Sequence, residues 1–198
     1  MQLTDPEHPN REQSFPAISQ TQMLMYLGLG SLSILFAASL VAYFITRAQA
    51  TSWRPVELPA LPAGLWGSTA ILLALSGCLR LSQKQLAKSR YGQVSNWLLA
   101  ALSLSAFFLV LQIANWRQVG VASEGIEGKT LYLYTFFMLT ALHALHVVAG
   151  VVPLAIVYHR SLSQYYSSSR SEGLRLVTQY WDFLLVVWLV LLVSLWFF

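Results

Sequence analysis

The stretch LYLYTFFMLTALHALHVVAGVVPLAIVY, residues 131–158, decides the fold of this chain. It is long enough to cross a bilayer, for which about 20 apolar residues suffice, yet it carries two histidines near its middle. On a helix of 3.6 residues per turn, small and polar residues fall on one stripe and large aliphatic residues on another. The first stripe holds Thr140, His143, His146, Gly150 and Pro153, and the second holds Leu145, Val148, Val152 and Ile156. The first face therefore suits a protein neighbour and the second suits lipid.

The rest of the chain repeats this apolar character in four further blocks. Hydrophobic residues make up 56% of the 198 residues and charged residues only 10%, so the blocks lack the charged faces of a soluble helical bundle. We predict an all-α, polytopic membrane protein, a five-transmembrane-helix bundle in one domain over residues 22–198, preceded by a mobile cytoplasmic tail over residues 1–21. The predicted spans are residues 23–46, 64–81, 93–115, 131–158 and 176–198.

The basic residues predict the orientation. Eight of the twelve Lys and Arg fall on the side of the N-terminus and four on the other side. By the positive-inside rule, the N-terminus and the predicted loops at 80–92 and 159–175 face the cytoplasm, and the C-terminus lies outside. The basic run Arg80–Arg90 then reports topology rather than phosphate binding, and no nucleic-acid partner is expected.

Polar and small residues within the spans predict helix contacts. The pairs Ser33/Ala37 and Ala38/Ala42 in the first span have the four-residue spacing that lets helices approach closely in lipid. In the second span, Ser68, Thr69 and Ser76 are expected to bond their own backbone. Gln112 in the third span should face another helix, because an amide in hydrocarbon needs partners.

The two histidines of the fourth span could serve in four ways. A haem would need histidines on a second span, and a metal site would need further Cys, Asp or Glu ligands in the same span. A proton relay suits an imidazole that titrates near neutrality. We favour a simpler use, in which His143 and His146 donate hydrogen bonds to another helix or to lipid.

Asp182 is the one acidic residue within a predicted span. It could reach cytoplasmic water, which costs least, or pair with Arg175 or His146. The residues contain no metal-ligand cluster, no phosphate-binding glycine loop and no nucleophile with its base, so no catalytic residue is assigned. From the residues alone, the chain could be a transporter or a packing subunit of a larger complex.

Two motifs carry a resemblance to a known family. TALHALHVVAG (140–150) resembles the GFHGLHVxxG segment of subunit III of the haem–copper oxidases, and YWDFLLVVW (180–188) resembles that family's YWHFVDVVW. Weaker similarity follows in order through residues 36–47, 65–77 and 97–116. Five spans match the short bacterial form. The family-signature and intramembrane polar residues are His143, His146, Gln112, Asn115, Tyr180, Trp181, Asp182 and Trp188.

The resemblance implies an accessory subunit in the bacterial cytoplasmic membrane. Subunit III of such an oxidase packs on the catalytic subunit I, with subunit II in the same complex, and binds membrane lipid. The complex passes electrons from cytochrome c or a quinol to oxygen and translocates protons. Haem and copper are expected in the partner subunits and none in this chain, where a bound phospholipid is the one expected small molecule.

The chain departs from the family pattern at acidic positions. Asp182 stands where the family has histidine, Leu185 where it has aspartate, and Asn115 where it has glutamate, and no acid occurs around residues 31–33. These departures affect the proton-related role more than the packing role, which depends on span number and contacts. Two alternatives stay open: a companion of nitric oxide reductase, and a small transporter using His143 and Asp182 for proton coupling.

Overall fold

A computed structural model describes residues 19–50, 53, 62–123, 131–163 and 171–197. Over these residues the chain forms five α-helices and no strand: α1 (Gln20–Gln49), α2 (Gly64–Ala87), α3 (Tyr91–Ala122), α4 (Leu131–Leu162) and α5 (Glu172–Phe197). All five are long and apolar enough to cross a membrane, so the predicted all-α, five-span fold is confirmed. The orientation stays a prediction, and residues 1–18 of the predicted tail lie outside the described residues.

The second and third helices extend beyond the apolar blocks from which they are predicted. The second ends at Ala87 rather than at residue 81, and the third begins at Tyr91 rather than at residue 93. Gln and Lys are good helix formers, so the polar run after Leu81 continues the helix beyond the hydrocarbon core. The predicted loop at 80–92 is therefore wrong over most of its length, and the turn is confined to Lys88–Arg90, with Ser89 at a φ of 56°.

Four of the helices close into a ring. The contact between α2 and α3 is the most extensive. α3 also packs on α4, α4 packs on α5, and α5 packs on α2. Leucines and aromatic rings fill the interior, among them Leu72, Leu98, Phe108, Leu139 and Leu184, which are almost completely buried. This ring places the small and polar stripe of α4 toward α3 and α5.

The first helix lies outside this ring and contacts only α4 and α5. Its buried residues are Phe36 and Tyr43, and the Tyr43 hydroxyl donates a hydrogen bond to the Ser194 carbonyl at 3.1 Å. At its start, Ser19 caps the helix and hydrogen-bonds the Glu172 carboxylate. Two aromatic side chains and these polar contacts therefore attach α1 to the bundle.

The small residues of α1 do not bring it close to another helix of this chain, and their role in helix contacts stays a prediction. Ser33, Ala37, Ala38 and Ala42 are exposed. The serine hydroxyls at positions 31, 33 and 39 donate to carbonyls of their own helix four residues earlier. The packing of α1 depends on its aromatic residues, because these reach across a gap that small side chains cannot fill.

Candidate functional site: the contacts of the fourth helix with the third and fifth

The two predicted faces of α4 are confirmed. Thr140, His143 and Gly150 are buried. The four aliphatic residues of the opposite stripe are 47–64% exposed. The sequence pattern therefore oriented α4 correctly, and the face that it predicted for a protein neighbour is covered mainly by helices of the same chain.

His143 is enclosed by aromatic rings. Its imidazole is fully buried and lies 5.0 Å from the Trp188 ring, 5.9 Å from Phe108 and 6.3 Å from Phe36, centroid to centroid. These separations are typical of favourable aromatic contacts. Neither ring nitrogen has a hydrogen-bond partner among the described residues. The interpretation of His143 as an interhelical donor is therefore wrong for this structure, where the ring acts as a packing element between α1, α3 and α5.

His146 also bonds differently from the prediction. Its Nδ1 lies 2.7 Å from the Leu142 carbonyl of its own helix, so Nδ1 carries the proton and donates. The ring packs on Phe36 with centroids 5.1 Å apart. The interhelical hydrogen bond at this position uses the backbone instead, because the His146 carbonyl accepts from the Tyr180 hydroxyl at 2.8 Å.

Gly150 explains how Tyr180 reaches that carbonyl. A β-carbon on Gly150 would lie 2.5 Å from Cε1 of Tyr180 and 3.3 Å from Cζ2 of Trp181, so the ring of Tyr180 occupies the space that any other residue would need. Small residues at helix contacts in lipid permit such close approach. Gly150 of the first motif and Tyr180 and Trp181 of the second motif therefore form the close contact between α4 and α5.

Two indoles join further helices through threonine hydroxyls. Nε1 of Trp188 donates to Oγ1 of Thr69 at 2.9 Å, and that hydroxyl donates to the Leu65 carbonyl, as predicted for the second span. Nε1 of Trp116 donates to Oγ1 of Thr140 at 3.0 Å. These bonds connect α5 to α2 and α3 to α4.

The amides of α3 have different surroundings. Nδ2 of Asn115 donates to Oγ of Ser68 at 3.3 Å. The Asn115 amide oxygen occupies the space that a β-carbon on Gly64 would need. Gln112 is 1% exposed at the contact of α3 with α4, as predicted, but neither of its amide atoms has a hydrogen-bond partner among the described residues.

Asp182 pairs with Arg80, a cation at the end of the predicted second span. One carboxylate oxygen accepts from Arg80 at 3.0 Å and the other from the Ser76 hydroxyl, so neither Arg175 nor His146 is its partner. The prediction that Ser76 bonds its own backbone is also wrong. Ser76 and Arg80 are four residues apart on α2, which places both on one face toward α5. Both residues lie within the predicted span 64–81, so their shared face could have been predicted from the sequence.

The described residues form no group of three His, Cys, Asp or Glu side chains that could hold a metal ion. His143 does not fit a haem or metal, because aromatic rings surround it and its neighbour His146 is bonded to a backbone carbonyl. The contacts described here position the helices against one another.

Comparison with known proteins identifies relatives of the whole bundle. The family model described as cytochrome c oxidase subunit III matches residues 17–198. Cytochrome c oxidase subunit 3 of Dugong dugon is 32% identical over 142 residues, covering 71% of this chain and 50% of the relative. The Rattus norvegicus protein is 31% identical over 146 residues, covering 73% and 52%. The chain thus spans about half the length of the curated relatives it matches.

The close contact at Gly150 predicts that Gly150→Ala destabilises the bundle. The added methyl group must displace the Tyr180 ring or break its hydrogen bond, at a cost of about 1–3 kcal/mol. Gly77→Ala is the matched control, because a β-carbon there meets nothing within 4 Å. Thermal unfolding in detergent measures both variants. Similar midpoints for the two would contradict the proposed packing.

The Arg80–Asp182 pair predicts a measurable coupling. In a double-mutant cycle with Arg80→Gln and Asp182→Asn, we expect about 0.3–1 kcal/mol of interaction, since both groups are partly exposed to solvent. Salt should reduce this coupling. Lys84→Gln, one turn further along α2, replaces Arg80→Gln in the control cycle and should show none. Equal coupling in both cycles would indicate a general charge effect rather than a pair.

Proposed function

Because this chain belongs to the cytochrome c oxidase subunit III family, we propose that it is the accessory, non-catalytic subunit III of a haem–copper terminal oxidase. Its role is to pack on catalytic subunit I, next to subunit II, in a complex that passes electrons from cytochrome c or a quinol to oxygen and translocates protons. Haem and copper belong to the partner subunits. As part of this proposal the chain lies in a bacterial cytoplasmic membrane, and its five helices are long and apolar enough to cross a bilayer.

The observation that carries this proposal is that the two family motifs form contacts between helices. The His146 carbonyl and Gly150 of the first motif meet Tyr180 and Trp181 of the second in the α4–α5 contact. Trp188, at the end of the second motif, bonds Thr69 on α2. The motifs thus hold the bundle together, which is the task of a scaffold subunit rather than of a reaction centre.

The surface of α1 supports a packing role. Phe36 and Tyr43 are its buried residues, and the rest of the helix is partly or largely exposed on a chain that occupies a membrane. Interfaces between membrane helices are enriched in small residues, and α1 exposes Ser33, Ala37 and Ala42 on the surface left uncovered by this chain. We assign this surface to the contact with a partner subunit and surrounding lipid.

Two residues that depart from the family pattern form contacts between helices in this chain. Asp182 is bonded to Arg80 and Ser76, and Asn115 is bonded to Ser68, so both substituted positions serve helix contacts in this chain. Proton transfer needs a connected series of groups that exchange protons. The unbonded His143 ring offers no such series among the described residues, so the proposal rests on assembly and durability of the complex.

The proposal predicts that the tagged full-length chain, purified from its native membranes in mild detergent, brings haem-bearing subunits with it. A reduced-minus-oxidised absorption spectrum and mass spectrometry of the co-purified subunits measure this, with an untagged strain as control. Ala42→Trp, on the exposed surface of α1, should lower haem recovery more than Val186→Trp, on the exposed surface of α5.

Three results would contradict the proposal. The first is recovery of the chain alone, and the second is recovery with a nitric oxide reductase instead of an oxidase. The third is proton-coupled uptake by vesicles that contain only this chain, abolished by His143→Ala, which would indicate a transporter.

A further inference from the structure

The fourth helix carries a hydrogen-bond acceptor on a part of its surface that this chain leaves open. Nδ1 of His146 donates to the Leu142 carbonyl, so in the neutral ring Nε2 has no proton and can only accept. His146 is partly exposed, and its Nε2 has no hydrogen-bond partner among the described residues. Phe36 of α1 packs against the imidazole with centroids 5.1 Å apart, which places the ring beside α1.

Pro153 leaves a second acceptor on the same side of α4. A proline inside a helix has no N–H, so the backbone carbonyl four residues earlier, that of Ala149, loses its usual donor. Ala149 is exposed, and no side chain of the described residues donates to its carbonyl. His146, Ala149 and Pro153 follow one another at spacings of three and four residues, so they lie on one face of the helix. These three residues define the acceptor face of α4.

The acceptor face lies too deep in the membrane for water or lipid headgroups to reach it. His146 is twelve residues from Tyr158 and fifteen from Leu131, which is about 18 and 22 Å along the axis at 1.5 Å per residue. The hydrocarbon core is about 30 Å thick, so both acceptors lie within it. Acyl chains contain no hydrogen-bond donor, and a polar group left unsatisfied there costs free energy.

The missing donors are therefore expected on another protein. The first helix of a second copy of this chain does not supply them, because its serine hydroxyls at positions 31, 33 and 39 already donate to their own backbone. Proline within a membrane helix is tolerated where a neighbouring helix or a hydroxyl side chain satisfies the freed backbone group. A helix from a different chain meets this requirement.

We propose that the acceptor face of α4 docks a transmembrane helix of the partner subunit, which donates side-chain hydrogen bonds to Nε2 of His146 and to the Ala149 carbonyl. The donors are hydroxyl, amide or indole groups about one turn apart, because the two acceptors are three residues apart. The face adjoins Phe36, and Ser33 and Ala37 beside Phe36 are exposed, so it continues the surface of α1 assigned above to the partner. This inference rests on the proposed function, since it names the chemistry of the partner's helix.

Photocrosslinking in the intact complex tests where the helix docks. The complex is purified through a tag on the full-length chain, with p-benzoylphenylalanine in place of Ala149 or, as a control, of Val186, which is exposed on α5. We expect the label at position 149 to crosslink a haem-bearing subunit at a membrane span that carries Ser, Thr, Asn or Trp, and the label at 186 not to. A crosslink from position 149 to a second copy of this chain, or to lipid alone, would overturn the proposal.

The rate at which labelled free chain replaces the chain in the purified complex tests the hydrogen bonds. His146→Leu should speed release about threefold through loss of a membrane-embedded hydrogen bond, whereas His146→Gln keeps an acceptor and should release at close to the unaltered rate. Pro153→Ala restores the backbone donor to Ala149 and should also speed release about threefold. It should not lower the thermal midpoint of the isolated chain, whereas a structural defect would lower stability and association together.

Ser103→Ala is the matched control, because it removes an exposed hydroxyl of α3 within the third apolar block. Its release rate should equal that of the unaltered chain, and an effect as large as that of His146→Leu would overturn the proposal. If haem-bearing subunits co-purify but His146→Leu and Pro153→Ala leave the release rate unchanged, the proposed function stands and this inference fails. Recovery of the chain alone would overturn both.

Discussion

The close approach of α4 and α5 at Gly150 is the constraint on which the rest of the structure depends. In a bilayer, helices are held together by packing and hydrogen bonds rather than by hydrophobicity, so the absence of a side chain at one position can determine an interface. The Tyr180 ring fills the space above Gly150 and its hydroxyl reaches the His146 carbonyl. This contact sets the register of α5 against α4.

The register of α5 then determines the remaining contacts of the helix. Asp182, two residues after Tyr180, bonds Ser76 and Arg80. Trp188, six residues after Asp182, bonds Thr69. The indole of Trp188 also covers the His143 ring, which closes the interior between α3, α4 and α5. The polar groups of both motifs are in this way largely used for holding helices, and the uncovered surface of α1 is left for neighbours outside the chain.

Sequence reasoning predicted the features that follow from periodicity and composition. The five spans, the two faces of α4, and the burial of Gln112 follow from hydrophobic blocks and from the cost of polar groups in lipid. It missed contacts that depend on distance between helices. Arg80 marks the end of the second apolar block, and the sequence does not show that its partner is Asp182 on α5. His143 is expected to donate a hydrogen bond because an imidazole in hydrocarbon needs a partner, and periodicity does not show that aromatic rings surround it. The small residues of α1 are exposed in this chain, so the helix contact that their spacing predicts is not made by another helix of the chain.

The central claim is that the buried stripe of α4 is covered within this chain, without a partner subunit. Nitroxide labels placed singly along α4 of the isolated chain in lipid nanodiscs test this through their collision rate with oxygen, which is high in lipid and low in a packed interior. The account predicts maxima at Leu145, Val148, Val152 and Ile156, and minima at His143, Val147 and Leu154, which are buried. Uniformly high oxygen access around the helix, or maxima on the His143 side, would contradict it.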